Sequence, residues 1–234
     1  MTRILNAVKL DFRTGRFYLT LYPLLFLVAL LIGSVAKMPI FTVVLTIILA
    51  VFIAGGVFSI NERNHGEKLY GTLPLQRRDV VLGRYVYGMA LGIGGTIVAG
   101  LLGFLASKIA GVGMGSFGPN RGAIMPASYD GLLFWGALGA AFLYFCFALG
   151  VAFPIYYYFG FSKSYVFTML PLYLVVLITL LITRKLNLTL GPNSTIQWLA
   201  DHTYWLPIFG VVGGLILVAI SIVIATSIYS HKEI

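Results

Sequence analysis

The chain has 234 residues, 59% hydrophobic, 15% aromatic and 10% charged, where an ordinary soluble domain carries about 25% charged side chains. Together with a mean hydropathy of +0.96, this excludes a soluble globular domain and points to an integral membrane protein. The net charge of +9 requires no nucleic acid partner, because basic loops on the cytoplasmic side of a membrane and anionic lipid account for it.

In the opening stretch MTRILNAVKLDFRTGRF, Ile4, Leu5, Val8 and Phe12 recur at helical spacing, with Arg3, Lys9, Arg13 and Arg16 off that stripe. Residues 1–16 are therefore expected to form an amphipathic helix at the membrane surface. A helix rising about 1.5 Å per residue needs roughly 20 apolar residues to cross about 30 Å of hydrocarbon. Six runs are of that kind: 17–36, 39–60, 85–109, 131–153, 165–183 and 206–229. Only Lys37 and Met38 separate the first two, which predicts a tight helical hairpin. Ser34-Val35-Ala36 has the small residues of a signal cleavage site, but the apolar run before it exceeds the roughly 7–15 residues of a secretory signal and is read as a span. The expectation is one all-α transmembrane domain over residues 1–234, with six spans and an interfacial helix.

Between spans 2 and 3 lies SINERNHGEKLYGTLPLQRRDVVLGRY, a block of mixed charge in a chain otherwise poor in it. Span 2 is expected to continue as helix through Tyr70, stop at Gly71, and give way to a second helix from Pro74 that carries Arg77, Arg78 and Asp79 into span 3. The result is an elbow over 61–84 whose acids (Glu62, Glu67, Asp79) and bases (Arg63, Lys68, Arg77, Arg78, Arg84) face water. Its tip presents Leu69, Tyr70, Leu73 and Leu75 amid those charges, the composition of a docking surface with an apolar centre and a polar rim.

Span 3 carries Gly88, Gly92, Gly95, Gly100 and Gly103, and span 4 carries Gly136, Gly139 and Gly150, small residues that let helices pack closely in lipid. Pro154 and Pro171 bracket the approach to the fifth span, and a Gly-rich loop over 110–130 joins spans 3 and 4 on the outer side. Counted on alternate sides of a six-span chain, the N-terminal tail, the elbow, the 154–164 turn and the C-terminal tail hold 11 basic residues against 5 on the other side. Both termini are therefore expected in the cytoplasm. In a Cys146→Ala background, cysteine at Ser116 should then label from outside the cell and cysteine at Ser162 from inside; labelling of both from one side would refute the six-span topology.

Several function classes lack support. No Asp, Glu, Lys, Arg or His falls near the centre of a span, whereas proton relays and ion-coupled carriers commonly use such groups. His65, His202 and His231 lie outside the spans with no ligand-spaced partner, and Asp201-His202 has no nucleophile in a recognisable motif. Cys146 is the only cysteine, so no intrachain disulfide can form.

The stretch EKLYGTLPLQRRDVVLGRYVYG, behind the acidic end of span 2, resembles the segment leading into span 3 in permease subunits of type-2 ABC exporters. PIYYYFGFSK after span 4, the tail SIYSHKEI, the N-terminal helix and the six spans resemble the small stand-alone members of that family across essentially the whole chain. The resemblance implies that Glu62, Glu67, Lys68, Tyr70, Leu73, Pro74, Arg77 and Arg78 form a coupling elbow seated in a groove of an ATPase subunit. It also assigns Phe159, Gly160 and Lys163 to a second cytoplasmic turn. It implies a single permease domain in the cell membrane, working as a homodimer or heterodimer of permeases with two ABC ATPase subunits. Unlike larger members, the chain has neither an ATPase domain nor a large outer domain, and no G-x-x-x-x-G-K-[ST] phosphate loop occurs in it. No cofactor is expected in this chain, ATP and Mg belonging to the partner. Tyr22, Phe26, Phe134, Trp135 and Tyr144 are candidates to line a path for an amphipathic or apolar cargo: a peptide, an antibiotic or a lipid-linked molecule. Two alternatives are a membrane-embedded lipid-acting enzyme, which would need an interfacial acid or histidine cluster, and a sensory or structural subunit that uses the elbow without transport.

Overall fold

The computed structural model describes residues 2–64, 76–112, 114, 130–164 and 205–230. These residues fold into α1 (Thr2–Thr14), α2 (Arg16–Val35), α3 (Pro39–Arg63), α4 (Arg77–Ala110), α5 (Asp130–Phe159), α6 (Phe161–Ser164) and α7 (Trp205–Ser230), with no strand among them. Pro39–Arg63, Arg77–Ala110, Phe134–Phe159 and Pro207–Ser230 are long and apolar enough to cross a membrane, and Tyr22–Val35 of α2 is a shorter apolar helix. The expected span over 165–183 and most of the expected outer loop, 115–129, lie outside the described residues.

The α2–α3 hairpin is as tight as the sequence implies. Lys37 adopts φ 54, the Met38 N–H donates to the Gly33 carbonyl at 2.9 Å, and Pro39 opens α3 where a missing amide hydrogen costs nothing. The elbow boundaries differ from expectation. Helix α3 stops at Arg63 rather than running to Tyr70, with the Asn64 N–H closing the last turn onto the Ile60 carbonyl at 2.9 Å. The rest of the expected extension, 65–70, lies outside the described residues. Helix α4 begins at Arg77 rather than Pro74, because Gln76 and Asp79 build a capping box there. Pro154 does not end the fourth long helix: α5 continues to Phe159.

Contacts establish an antiparallel bundle. At one end α1, the starts of α2 and α4, and the ends of α3, α5 and α7 meet; the hairpin end carries the opposite termini. Helix α3 lies at the centre, with Val43, Ile47, Ala50, Ala54 and Val57, a helical repeat along one side, all buried. Glycines set the distance between axes. An ideal Cβ on Gly92 would lie 2.2 Å from the Phe145 ring, and one on Gly103 would lie 2.8 Å from that of Phe134. Gly92 and Gly103 of α4 thus serve close packing against α5, as small residues do in lipid. Leu24, Leu27 and Leu31 on α2 and Ile216, Ile220 and Val223 on α7 point outward and exposed, an arrangement stable where the solvent is hydrocarbon.

The face that α1 turns to the bundle centres on Ala7, Asp11 and Gly15, all buried, rather than on the apolar stripe. Leu5 and Phe12 remain exposed beside the exposed Lys9, Arg13 and Arg16.

Candidate coupling face and apolar groove

The end of the bundle carrying the elbow holds a connected set of polar contacts. Helix α5 terminates where Gly160 takes φ 81, and the Gly160 N–H donates to the Tyr156 carbonyl at 3.0 Å. This left-handed position favours glycine, which closes the helix and turns the chain into α6. The turn brings Ser162 to the end of α3. Its N–H donates to Glu62 Oε2 at 2.9 Å and its hydroxyl donates to Glu62 Oε1. Both oxygens of one carboxylate thus clasp this turn to the end of α3, through hydrogen bonds strengthened by charge. On the other flank Arg77 Nη1 donates to the Ser230 carbonyl at 3.1 Å, a cation placed on the orphan carbonyls at the end of α7.

Beneath this surface lies a feature that charge counting missed. Arg84 does not face water: it is 6% exposed, with its guanidinium carbon 4.5 Å from the Phe58 ring centroid and 5.6 Å from that of Tyr157. The cage is extended by Phe58–Tyr157, Phe58–Phe153 and Tyr157–Tyr229 ring pairs at 5.2, 4.9 and 5.1 Å. The flat, weakly hydrated guanidinium suits such a site better than an ammonium would. Asp11 of α1 is 1% exposed, and both charges lie within electrostatic reach of the Tyr157 hydroxyl. Close by, the Ser221 hydroxyl donates to the Gly150 carbonyl at 2.7 Å, so the Tyr85 hydroxyl is the donor in its 2.5 Å contact with Ser221. One signal in the sequence pointed here: Asp11 is the only acid before Glu62, and its side of α1 alternates it with Ala7 and Gly15, residues small enough to pack.

Nearer the hairpin end, α4, α5 and α7 enclose a groove of about 810 Å³ lined by Ile93, Ile97, Leu101, Phe134, Trp135 and Leu215 among others. Thr96 is the one hydroxyl in the lining, and it already donates to the Gly92 carbonyl at 2.8 Å. Apart from the indole N–H of Trp135, the side chains of the wall therefore offer hydrocarbon, thioether and aromatic surface.

The residues singled out from sequence divide into those brought together and those kept apart. Glu62, Arg77, Arg78, Phe159, Gly160 and Lys163 all sit at the elbow end, with Phe159 exposed and the charged side chains exposed to solvent. Glu67, Lys68, Tyr70, Leu73 and Pro74 lie outside the described residues. Of the aromatic candidates, Phe134 and Trp135 line the groove. Tyr22 is buried in the core with Phe26 packed on it at 4.6 Å, and Tyr144 packs partly buried against the same core. The five aromatics do not share one surface. Among the described residues no three His, Cys, Asp or Glu side chains gather as a metal site.

Comparison with curated proteins and comparison with solved structures gave no match. The profile of a family described as ABC-2 family transporter protein matches residues 7–230, from within α1 to the end of α7 and so across every helix described above. With nearly the whole chain matched, this protein belongs to the ABC-2 transporter family and is a membrane permease subunit of the type-2 ABC class.

Proposed function

We infer that this chain is the membrane-spanning half of an ATP-driven exporter. Six spans place both termini in the cytoplasm, and α1 lies amphipathically at the membrane surface. The elbow over 61–84 and the turn over 159–164 dock together onto a separate ATPase subunit, two of which serve a pair of permeases. Closing of the ATPase pair pushes the docked elements, and the helices rock to open a path to alternate sides. The observation that carries this reading is the Glu62 clasp on Ser162. It makes two turns that are 100 residues apart in sequence into one platform, which a single partner can push. The apolar groove beside Trp135 supports an amphipathic or apolar cargo, since its lining offers a polar molecule little to replace lost water.

The test uses Leu73→Asp, which sets a charge in the proposed docking centre, where uncompensated burial typically costs several kcal/mol. The variant should insert and purify as the native chain does, yet lose co-purification with the ATPase subunit by tenfold or more. The purified chain alone should neither bind nor hydrolyse ATP. Undiminished co-purification of the variant would reduce the elbow to a linker.

A further inference from the structure

Asp11 and Arg84 need a reason to be where they are. Both are ionisable and almost fully buried, and each sits within a helix interface where an apolar side chain would fill the space without the loss of hydration. The α1–α4 contact fixes the level at which each lies. An ideal Cβ on Gly83 would lie 2.7 Å from Ala7 Cβ, and one on Gly15 would lie 2.6 Å from the Tyr87 hydroxyl. Phe12 adds an edge contact to Tyr87 at 4.9 Å. Ala7, Asp11 and Gly15 repeat every fourth residue on one face of the helix, so contacts to Gly83 below and Tyr87 above bracket Asp11 at the level of Arg84. Opposite charges at one level set register: Ala7 against Gly83 is a smooth apolar contact along which α1 could slip by a turn, whereas opposite charges in a dry interface are complementary at one position only.

Arg84 also stands seven residues, roughly 10 Å, along α4 from Arg77 at the root of the elbow. We propose that Asp11 and Arg84 are positioning residues for coupling: they clamp α1 onto the root of the elbow, so that α1 and the start of α4 move as one body when the ATPase drives the platform. The role rests on the exporter reading above, while the clamp itself does not. Through Phe58, Tyr157 and Tyr229 the same cage touches α3, α5 and α7, which places the clamp where the elbow ends of four long helices converge.

The experiment uses the full chain with Cys146→Ala and a reporter cysteine at Ala7, which is 1% exposed, reacted with a water-soluble maleimide in membranes. Asp11→Asn and Arg84→Gln should each speed labelling at least tenfold, because each leaves one charge without its counterpart. The double variant should fall back toward the native rate, since it leaves no lone charge. Asp11→Glu, which keeps the charge, should stay within threefold of native. In complexes that still co-purify with the ATPase subunit, both single variants should hydrolyse ATP at least fivefold more slowly than native. Should Arg84→Gln fail to fold, the contrast between Asp11→Asn and Asp11→Glu decides the matter alone. Unchanged labelling in Asp11→Asn, or a double variant whose rate is the product of the singles, would overturn the clamp. Faster labelling with undiminished hydrolysis would overturn the positioning role and leave the exporter reading standing. Failure of the native chain to co-purify with an ATPase would overturn that reading and the role together, with the labelling rates still deciding the clamp.

Discussion

Leucine in place of Gly210 is expected to separate α5 from α7 and to lower the apparent Tm of the bundle by roughly 10 °C. These two helices share its most extensive contact. An ideal Cβ on Gly210 would lie 2.4 Å from the Gly139 carbonyl oxygen, and one on Gly139 would lie 2.4 Å from Pro207 Cα. The obstacle is backbone, which cannot rotate aside as a side chain does, so the helices must part and the packing along them is lost. Overpacking of an ordinary core costs about 1–3 kcal/mol, and a backbone clash at the closest helix crossing belongs at or above the top of that range. For a chain of this length, 3 kcal/mol corresponds to an apparent Tm lower by roughly 10 °C. Gly94 supplies the control, since a Cβ there meets nothing within 4 Å, and Gly94→Leu should leave Tm within about 2 °C on the same scaling. Detergent-solubilised protein, heated and scored for monodispersity, measures both. Equal loss in the two variants would mean that close approach does not govern these positions.

Glu62→Gln is expected to act on coupling far more than on stability. The carboxylate is exposed at the end of α3, so weakening its hydrogen bonds to Ser162 costs little in folding, on the order of 1 kcal/mol. The same change loosens the second turn from the first. With a neutral amide, one of the two bonds from Ser162 meets an NH2 group instead of an acceptor. If the two turns transmit force as one platform, co-purification with the ATPase should persist while hydrolysis by the complex falls at least tenfold. Ser162→Ala, which removes the hydroxyl and keeps the N–H, should fall between native and Glu62→Gln. A Glu62→Gln complex with native hydrolysis would show that the clasp is not in the path of force.

Much of the helical layout was legible in the amino-acid order because it follows from one-dimensional requirements. Hydrocarbon thickness sets the length of an apolar run, and the described long helices coincide with the runs at 17–36, 39–60, 85–109, 131–153 and 206–229 to within a few residues, apart from elbow-side extensions of three to eight residues on α3, α4 and α5. The hairpin at Lys37 and Met38 followed from the shortness of its link. Helix ends were less legible, because capping depends on a few local hydrogen bonds: Gln76 with Asp79 outweighed Pro74 as a start, and Asn64 ended α3 well before Gly71.

The sequence by itself determined a membrane protein of long apolar helices with its ionic groups gathered near one end, because composition and run length are properties a bilayer reads residue by residue. Only the tertiary structure decided which charges are ionic surface and which are core. Arg84 counts as a topogenic base in any tally of loops, yet it lies in an aromatic cage, and Asp11 sits on the buried side of α1. Glu62 was legible as part of the elbow, but its clasp on Ser162 spans 100 residues of sequence and leaves no local signature. That clasp, like the meeting of Gly139 with Gly210, depends on which helix faces touch. That choice is made by the close packing of α3, α4, α5 and α7 as a whole, since between membrane helices packing rather than water's exclusion drives association.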